Sequence, residues 1–402
     1  MNSPVQQYAV VTGSYWAFTL TDGALRMLVI LYFHQLGYSP LEVASLFLLY
    51  EFCGVITNLI GGWLATRMGL NTIMHFGLAL QILALSMLLV EPEYLDVVYV
   101  MVAQAISGIA KDLNKMSAKS SIKLLVPDHA QGKLYQWVSL LTGSKNTLKG
   151  VGFFLGAMLL TTLGFRGGIA LMAGGLMLVL LLSFILLKKE LGKTSYKPKF
   201  TDIFSKSAAV NRLSAARFFL FGARDIWFVI ALPVFLQEHL HWDYADVGTF
   251  LASWVIGYGF VQSVTPLITG IRRGKIPDGR TAMLWAILLA ILPLAIAALL
   301  YQGLPATVVL IVGLFFFGVI FAINSAVHSY LIVAYANEDG VSLDVGFYYM
   351  ANALGRLVGT LLSGWVYQSS GLVACLLVSA VFIIIASIIS LALPRHTAVA
   401  AT

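Results

Sequence analysis

The sequence predicts an all-α membrane protein with twelve transmembrane helices in two pseudo-symmetric six-helix bundles. Three observations carry this. The chain of 402 residues is 59% apolar and 11% charged, where soluble domains run nearer about 25% charged, and its mean hydropathy is +0.88. Apolar stretches of the roughly 20 residues needed to span a bilayer recur along its whole length. One basic, proline-containing segment, KKELGKTSYKPKFTDIFSKSAAV at 188–210, divides those stretches six and six.

In chain order the predicted spans are 8–36, 41–65, 72–90, 95–118, 134–162 and 166–188, then 210–237, 245–270, 281–301, 305–335, 343–367 and 371–393. This gives an N-terminal bundle at 1–187, a linker at 188–209 and a C-terminal bundle at 210–402. The N-terminus, MNSPVQQYAVV, has no basic region before its apolar run, so no cleavable signal peptide is expected.

The loops alternate in charge. Arg67 follows the second span. Lys119, Lys123 and Lys133 surround the fourth-to-fifth connection, and the linker is basic through Arg212. Arg272, Arg273, Lys275 and Arg280 follow the eighth span, and Arg395 follows the twelfth. Loops of the other parity carry Glu42, Glu91, Glu93, Asp96, Glu238, Asp243 and Asp246, with Arg166 as their one base. Short cytoplasmic loops accumulate Lys and Arg, so both termini are expected in the cytoplasm. The net charge of +7 then reflects topology, and no nucleic-acid partner is expected. Lys119 and Lys123 read as a solvated cytoplasmic helix end.

The halves repeat. A shift of 207 residues lays Lys149, Gly152, Ala157 and Gly164 on Arg356, Gly359, Gly364 and Gly371, and a shift of 203 lays Asp22 on Asp225.

Charges at membrane depth are the functional signal. Arg26, Lys111, Lys115, Lys145, Lys149, Arg217, Arg224 and Arg356 lie inside predicted spans, with only Asp22, Glu51, Asp112 and Asp225 to oppose them. A charge at the centre of a membrane helix costs roughly 2.5–3.5 kcal/mol on insertion scales. Four acids cannot neutralise eight bases, and an anionic substrate supplies the missing partner. Asp22 and Arg26 stand one turn apart, either as an intrahelical ion pair or as a pair with which substrate or a proton competes. Glu51 has no basic neighbour at helical spacing, which makes it the first candidate for carrying a coupling proton, with Asp22 second. Lys111 and Lys115 read as substrate contacts or as part of its access route, beside Asp112. Lys145 and Lys149 have no acid on their own helix. Asp225 reads as the partner of an arginine from elsewhere, Arg26 being one choice. Arg224, and Arg356 with no acid nearby in sequence, present planar forks suited to oxyanions; Arg217 shares a helix face with Arg224. Asn324 and His328, one turn apart, offer neutral hydrogen bonds either to substrate or between helices. The chain has no Walker loop, HExxH, paired metal cysteines or nucleophile elbow, so neither enzyme chemistry nor a cofactor is expected. Cys53 and Cys375 read as packing residues.

The plan of two parallel six-helix halves resembles the major facilitator superfamily, whose substrate site lies near the midplane. In GGWLATRMGLN, residues 61–71, the chain keeps Gly62, Leu64, Arg67 and Gly69 of that superfamily's second-to-third loop motif. Thr66 replaces its acid, and Leu70 and Asn71 replace its basic pair. At finer resolution FTLTDGALRMLV (18–29), SGIAKDLNKMSAKSSIKLLVPD (107–128), LTGSKNTLKGVGFFLG (141–156), LSAARFFLFGARDIWFVIALPV (213–234) and ANALGRLVG (351–359) resemble the ArsJ family of organoarsenical efflux permeases. The resemblance implies export of 1-arseno-3-phosphoglycerate, made from arsenate by a companion glyceraldehyde-3-phosphate dehydrogenase, by alternating access in a monomer driven by the proton gradient. The other readings are an exchanger or importer of another phosphorylated metabolite and a non-transporting membrane sensor or scaffold.

Overall fold

The computed structural model describes residues 4–38, 43, 46–127, 129–187, 191, 199–203, 207–337 and 340–395. Glu42 and most of the 188–209 linker lie outside the described residues. The helices are α1 (Pro4–Gln35), α2 (Leu48–Met68), α3 (Leu70–Met87), α4 (Val97–Leu125), α5 (Gln131–Leu186), α6 (Ala208–Phe228), α7 (Ala231–Glu238), α8 (Tyr244–Ile268), α9 (Gly279–Tyr301), α10 (Ala306–Tyr335) and α11 (Val341–Ser390). There is no strand among the described residues.

Nine helical stretches of the described residues are long and apolar enough to cross a membrane, with α6 and α7 forming one of them. Two of the nine, α5 and α11, are each a pair of helices joined through one non-helical glycine. α4 is long enough to cross but is not among the nine; Lys111, Asp112, Lys115, Lys119 and Lys123 fall within it. Counted this way, the described residues are consistent with the twelve crossings that hydropathy predicts. The joints are Gly164 (φ 70, ψ 179) and Gly371 (φ 76, ψ −174). That combination is accessible essentially to glycine alone. The two stand 207 residues apart, the shift that aligns the halves.

Helix starts follow local chemistry. Asp96 accepts a hydrogen bond from the Tyr99 amide at 2.7 Å and opens α4. Asp243 does the same for the Asp246 amide and α8, and Asp278 with Thr281 forms a capping box on α9. α4 runs to Leu125, beyond the expected end at 118. Pro127 follows, where the missing amide cannot continue the ladder.

Contacts divide the chain into two compact units. The first holds Met1–Ala130, Ser144–Ser205 and Ala336–Met350; the second holds Gln131–Gly143, Lys206–Tyr335 and Ala351–Thr402. The units follow the sequence halves except at 131–143 and 336–350, and glycines explain both exceptions. In the first unit a Cβ on Gly62 would lie 2.3 Å from the Ser342 carbonyl oxygen, and one on Gly346 would lie 2.7 Å from that of Asn58. α2 and the start of α11 therefore touch through backbone. Thr66 and Ser342 share a hydroxyl hydrogen bond of 2.7 Å there, so a neutral pair occupies the place of the motif's acid. In the second unit a Cβ on Gly143 would lie 2.4 Å from the Gly259 carbonyl oxygen, which seats the first turns of α5 against α8.

Within each unit one glycine seam positions the charged helices. In the first, Gly152 and Gly156 of α5 meet the Leu20 and Ala24 carbonyls of α1, at 2.7 and 2.3 Å from an added Cβ. In the second, Gly355 and Gly359 of α11 meet the Phe218 and Gly222 carbonyls of α6, at 2.2 and 2.5 Å. Small residues let membrane helices approach this closely. Large apolar side chains such as Phe154, Phe260, Leu361 and Trp365 remain more than half exposed, as lipid-facing residues of a multi-pass membrane protein do.

Candidate functional site

The first unit gathers Arg26 of α1, Tyr50 and Glu51 of α2, Lys111, Asp112 and Lys115 of α4, and Lys149 of α5. Arg26 Nη2 donates to Glu51 Oε1 at 3.1 Å. Asp22 accepts instead from the Tyr50 hydroxyl at 2.7 Å. The one-turn Asp22–Arg26 ion pair is therefore replaced by two contacts between α1 and α2, and Glu51, which has no base at helical spacing on its own helix, takes its cation from α1. The reason is geometric: Tyr50 and Glu51, adjacent on α2, both reach side chains of α1. Asp112 accepts from Lys115 Nζ at 2.5 Å and stands 4.0 Å from Lys111 Nζ. Room for its carboxylate comes from Gly54, where a Cβ would lie 2.7 Å from Asp112 Oδ2.

Tyr50 was not marked by the sequence, yet it organises this group. The Arg26 guanidinium lies 5.1 Å and Lys111 Nζ 3.8 Å from its ring centroid. A π face steadies a cation without cancelling its charge. Lys149 lies within electrostatic reach of Arg26, Asp22, Lys111 and Glu51. It makes no hydrogen bond or ion pair among the described residues. Lys145, one turn earlier on α5, is half-buried and engaged with its surroundings.

The fourth helix departs from expectation at its end. Lys119 and Lys123 do not form a solvated tip: they are 2% and 7% exposed. The Tyr349 ring of α11 takes Lys115 Nζ at 4.6 Å and Lys119 Nζ at 5.0 Å. The solvated-end reading fails because α4 continues to Leu125 and the start of α11 packs within the same unit.

The second unit builds a clamp. Asp225 of α6 is 0% exposed and uses one carboxylate oxygen for each of two arginines. Arg224 Nε donates to Oδ1 at 2.6 Å, and Arg356 Nε of α11 donates to Oδ2 at 3.0 Å. Asp225 thus takes both partners from its own unit, not Arg26, and Arg356 does have an acid beside it. The carboxylate orients the two guanidinium groups and leaves the trio with one net positive charge. Arg224 also sets its Nη2 against Oδ1, and each guanidinium has N–H groups beyond those turned to Asp225. The side chain of Arg356 is 36% exposed and that of Arg224 is 14% exposed.

Arg217 has another task. Its Nε donates to Asn352 Oδ1 at 2.9 Å and its Nη1 to Ser325 Oγ at 3.1 Å, while its guanidinium stacks 3.7 Å from the Phe221 centroid. Tyr258 donates to the same Ser325 hydroxyl at 3.0 Å, and Gln262 donates to Tyr258 at 2.8 Å. Arg217 therefore ties α6, α10 and α11 together one side of Phe221, while Arg224 lies 5.1 Å from that ring. Asn324 and His328 are buried on α10 beside this network. Neither Asn324 amide atom, nor His328 Nδ1, has a hydrogen-bond partner among the described residues. Asn352, Ser325 and Tyr258 were invisible to the sequence reading, since uncharged polar residues in apolar helices carry no signal until their neighbours are known.

A polytopic helical protein with internally repeated halves and paired cationic sets at membrane depth is, by fold and site, a transporter of small molecules. The chain belongs to the Major Facilitator Superfamily, which it matches over residues 11–243 and 213–401. No curated protein matches it. Among solved structures, the human organic anion transporter MFSD10 (TETRAN) is similar with a TM-score of 0.77 at 15% identity, covering 97% of this chain and 100% of that one. A bacterial homologue of the iron transporter ferroportin, in its outward-facing state, gives 0.76 at 13% identity with 96% and 98% covered. FucP in the outward conformation gives 0.73 at 14% identity with 97% and 99% covered. At these identities the likeness is one of fold.

Proposed function

We propose that this protein is a secondary transporter exporting a small organic anion that bears more than one oxyanion group, 1-arseno-3-phosphoglycerate by its resemblance to ArsJ permeases. The observation that carries the reading is the Arg224–Asp225–Arg356 clamp, matched at the equivalent of Arg356 by Lys149. Bidentate arginine–oxyanion contacts are strong and geometrically selective, whereas a lysine such as Lys149 is a mobile point charge. Glu51 and Asp22, held by Arg26 and Tyr50, are the groups for proton coupling: an anion that draws Arg26 away from Glu51 changes the affinity of that carboxylate for a proton. The protein sits in a bacterial inner membrane with both termini cytoplasmic, acts as a monomer by alternating access, and has glyceraldehyde-3-phosphate dehydrogenase as a metabolic partner.

The test uses everted vesicles supplied with the dehydrogenase, glyceraldehyde 3-phosphate, NAD and labelled arsenate. Arsenic uptake that requires the dehydrogenase, and that disappears when the proton gradient is collapsed, is the expected result. Equal uptake of arsenite without the dehydrogenase refutes the reading. Uptake of labelled 3-phosphoglycerate in place of the arsenical assigns the protein to phosphorylated metabolites instead.

A further inference from the structure

The halves repeat in backbone but differ at one corner. The helix ends at Gln35 and Glu238 correspond by a shift of 203, and the joints at Gly164 and Gly371 by a shift of 207. In the first unit Tyr32 and Phe165 lie beside these landmarks. Their rings stack at 4.1 Å and close the corner between α1 and α5. The same shifts lead to Phe235 and Leu372 in the second unit. Phe235 stacks instead on His239, at 4.6 Å, and position 372 carries no ring. A cavity of about 830 Å³ remains there.

The lining of this cavity lies wholly within the second unit, on α7, at the facing ends of α9 and α10, and on both sides of the Gly371 joint. Much of the wall is apolar, with Phe235, Leu300, Leu304 and Leu372 in it. Glu238 is its one acid among the described residues, and no lysine or arginine lines it. The Tyr367 hydroxyl, also in the wall, donates to Glu238 Oε2 at 3.5 Å. No cation pairs with that carboxylate among the described residues.

We propose that this cavity binds a lipophilic organic cation, with one positive charge set against Glu238 and an apolar body in the space that the first unit fills with its aromatic stack. The site shares no residue with the Arg224–Asp225–Arg356 clamp, and the proposal does not rest on the anion-transport reading.

Size, shape and sign each narrow the ligand. The volume falls within the roughly 300–1,000 Å³ of small-molecule pockets, which are mostly apolar with a few placed polar groups. An anion would meet a carboxylate and find no base to hold it. A neutral body would cover Glu238 without giving it a partner, and burying an unpaired charge is costly. A cation satisfies the carboxylate, and the ring faces of Phe235 and Tyr367 attract positive charge in addition.

The experiment measures binding of radiolabelled tetraphenylphosphonium, used as the probe, to the detergent-solubilised full chain by equilibrium dialysis against protein-free micelles. Wild type is expected to bind one equivalent. Glu238→Gln should weaken binding several-fold, because the cavity keeps its shape and loses its charge. Leu372→Phe supplies the ring that the first unit has and should abolish binding; should that variant fail to fold, Val234→Phe fills the same cavity and takes its place. No binding by wild type overturns the proposal. Wild-type affinity in Glu238→Gln overturns the assignment to a cation, and wild-type affinity in the folded filling variant shows that the probe sits elsewhere and overturns the site. Each of these failures leaves the clamp and the anion-transport reading standing.

Discussion

Replacing Asp225 by asparagine keeps the shape of the side chain and removes the charge that Arg224 and Arg356 share. The carboxylate is fully buried, with one arginine Nε at 2.6 Å and the other at 3.0 Å. Removing one member of a buried ion pair typically costs about 3–5 kcal/mol, because the charge left behind stays desolvated. Arg356 is partly open to its surroundings at 36% exposure, so solvent screens its share, and the lower end, about 3 kcal/mol, is the expected loss. An oxyanion seated between the guanidinium groups supplies the missing negative charge. A ligand at a hundred times its Kd stabilises by about 2.7 kcal/mol, which offsets most of that deficit. The assay is thermal unfolding of the solubilised protein with and without 3-phosphoglycerate, at ionic strength matched with sodium chloride. Asp225→Asn should melt well below wild type, recover most of the difference with the anion, and recover little with chloride alone. A variant that melts with wild type, or whose deficit the anion leaves untouched while wild type is stabilised, refutes the clamp as an oxyanion site.

Arg224→Lys and Arg356→Lys should each weaken substrate binding about tenfold or more, since lysine cannot reproduce two parallel hydrogen bonds worth about 1.5–3 kcal/mol each; unchanged affinity beside a lowered melting temperature returns both arginines to a structural role. Glu51→Gln should abolish substrate-induced proton movement in vesicles while binding survives, and wild-type proton movement in that variant eliminates Glu51. Gly359→Ala places a methyl group 2.5 Å from the Gly222 carbonyl oxygen and 3.1 Å from Asp225 Cβ; forcing α6 and α11 apart should cost about 1–3 kcal/mol in stability and also weaken anion binding, whereas a variant that melts and binds as wild type does shows that the seam yields freely.

The repeat was the most legible part of the sequence. Gly164 and Gly371 align at one shift, and their backbones adopt the same glycine-only conformation. Lys149 and Arg356 align at that shift too, each within the helix that carries its unit's glycine seam. Partner identity was not legible, because ion pairs between helices ignore sequence spacing. Glu51 looked isolated when only its own helix was considered, yet its cation is Arg26, on the neighbouring helix. Asp22 looked paired to Arg26 at one turn, yet Tyr50 holds it. Arg356 looked acid-free, yet Asp225 lies across the α6–α11 seam. Burial of Lys119 and Lys123 was equally hidden, since lysines near a predicted span end read as solvated until the tertiary neighbours of that end are known.

Gly164 and Gly371 have a mechanical consequence. Each joins two membrane-crossing rods through one residue, and a joint of one residue has no spare chain to unspool. A tilt imposed on the first rod is handed to the second with almost no lost motion, as in a crank. The twelve crossings therefore contain two pre-assembled levers, one formed by α5 and one by α11. These joints should also be poor places to splice in an epitope or a spacer: added residues would introduce backlash where the present chain has none, and transport should fall even if both rods still fold.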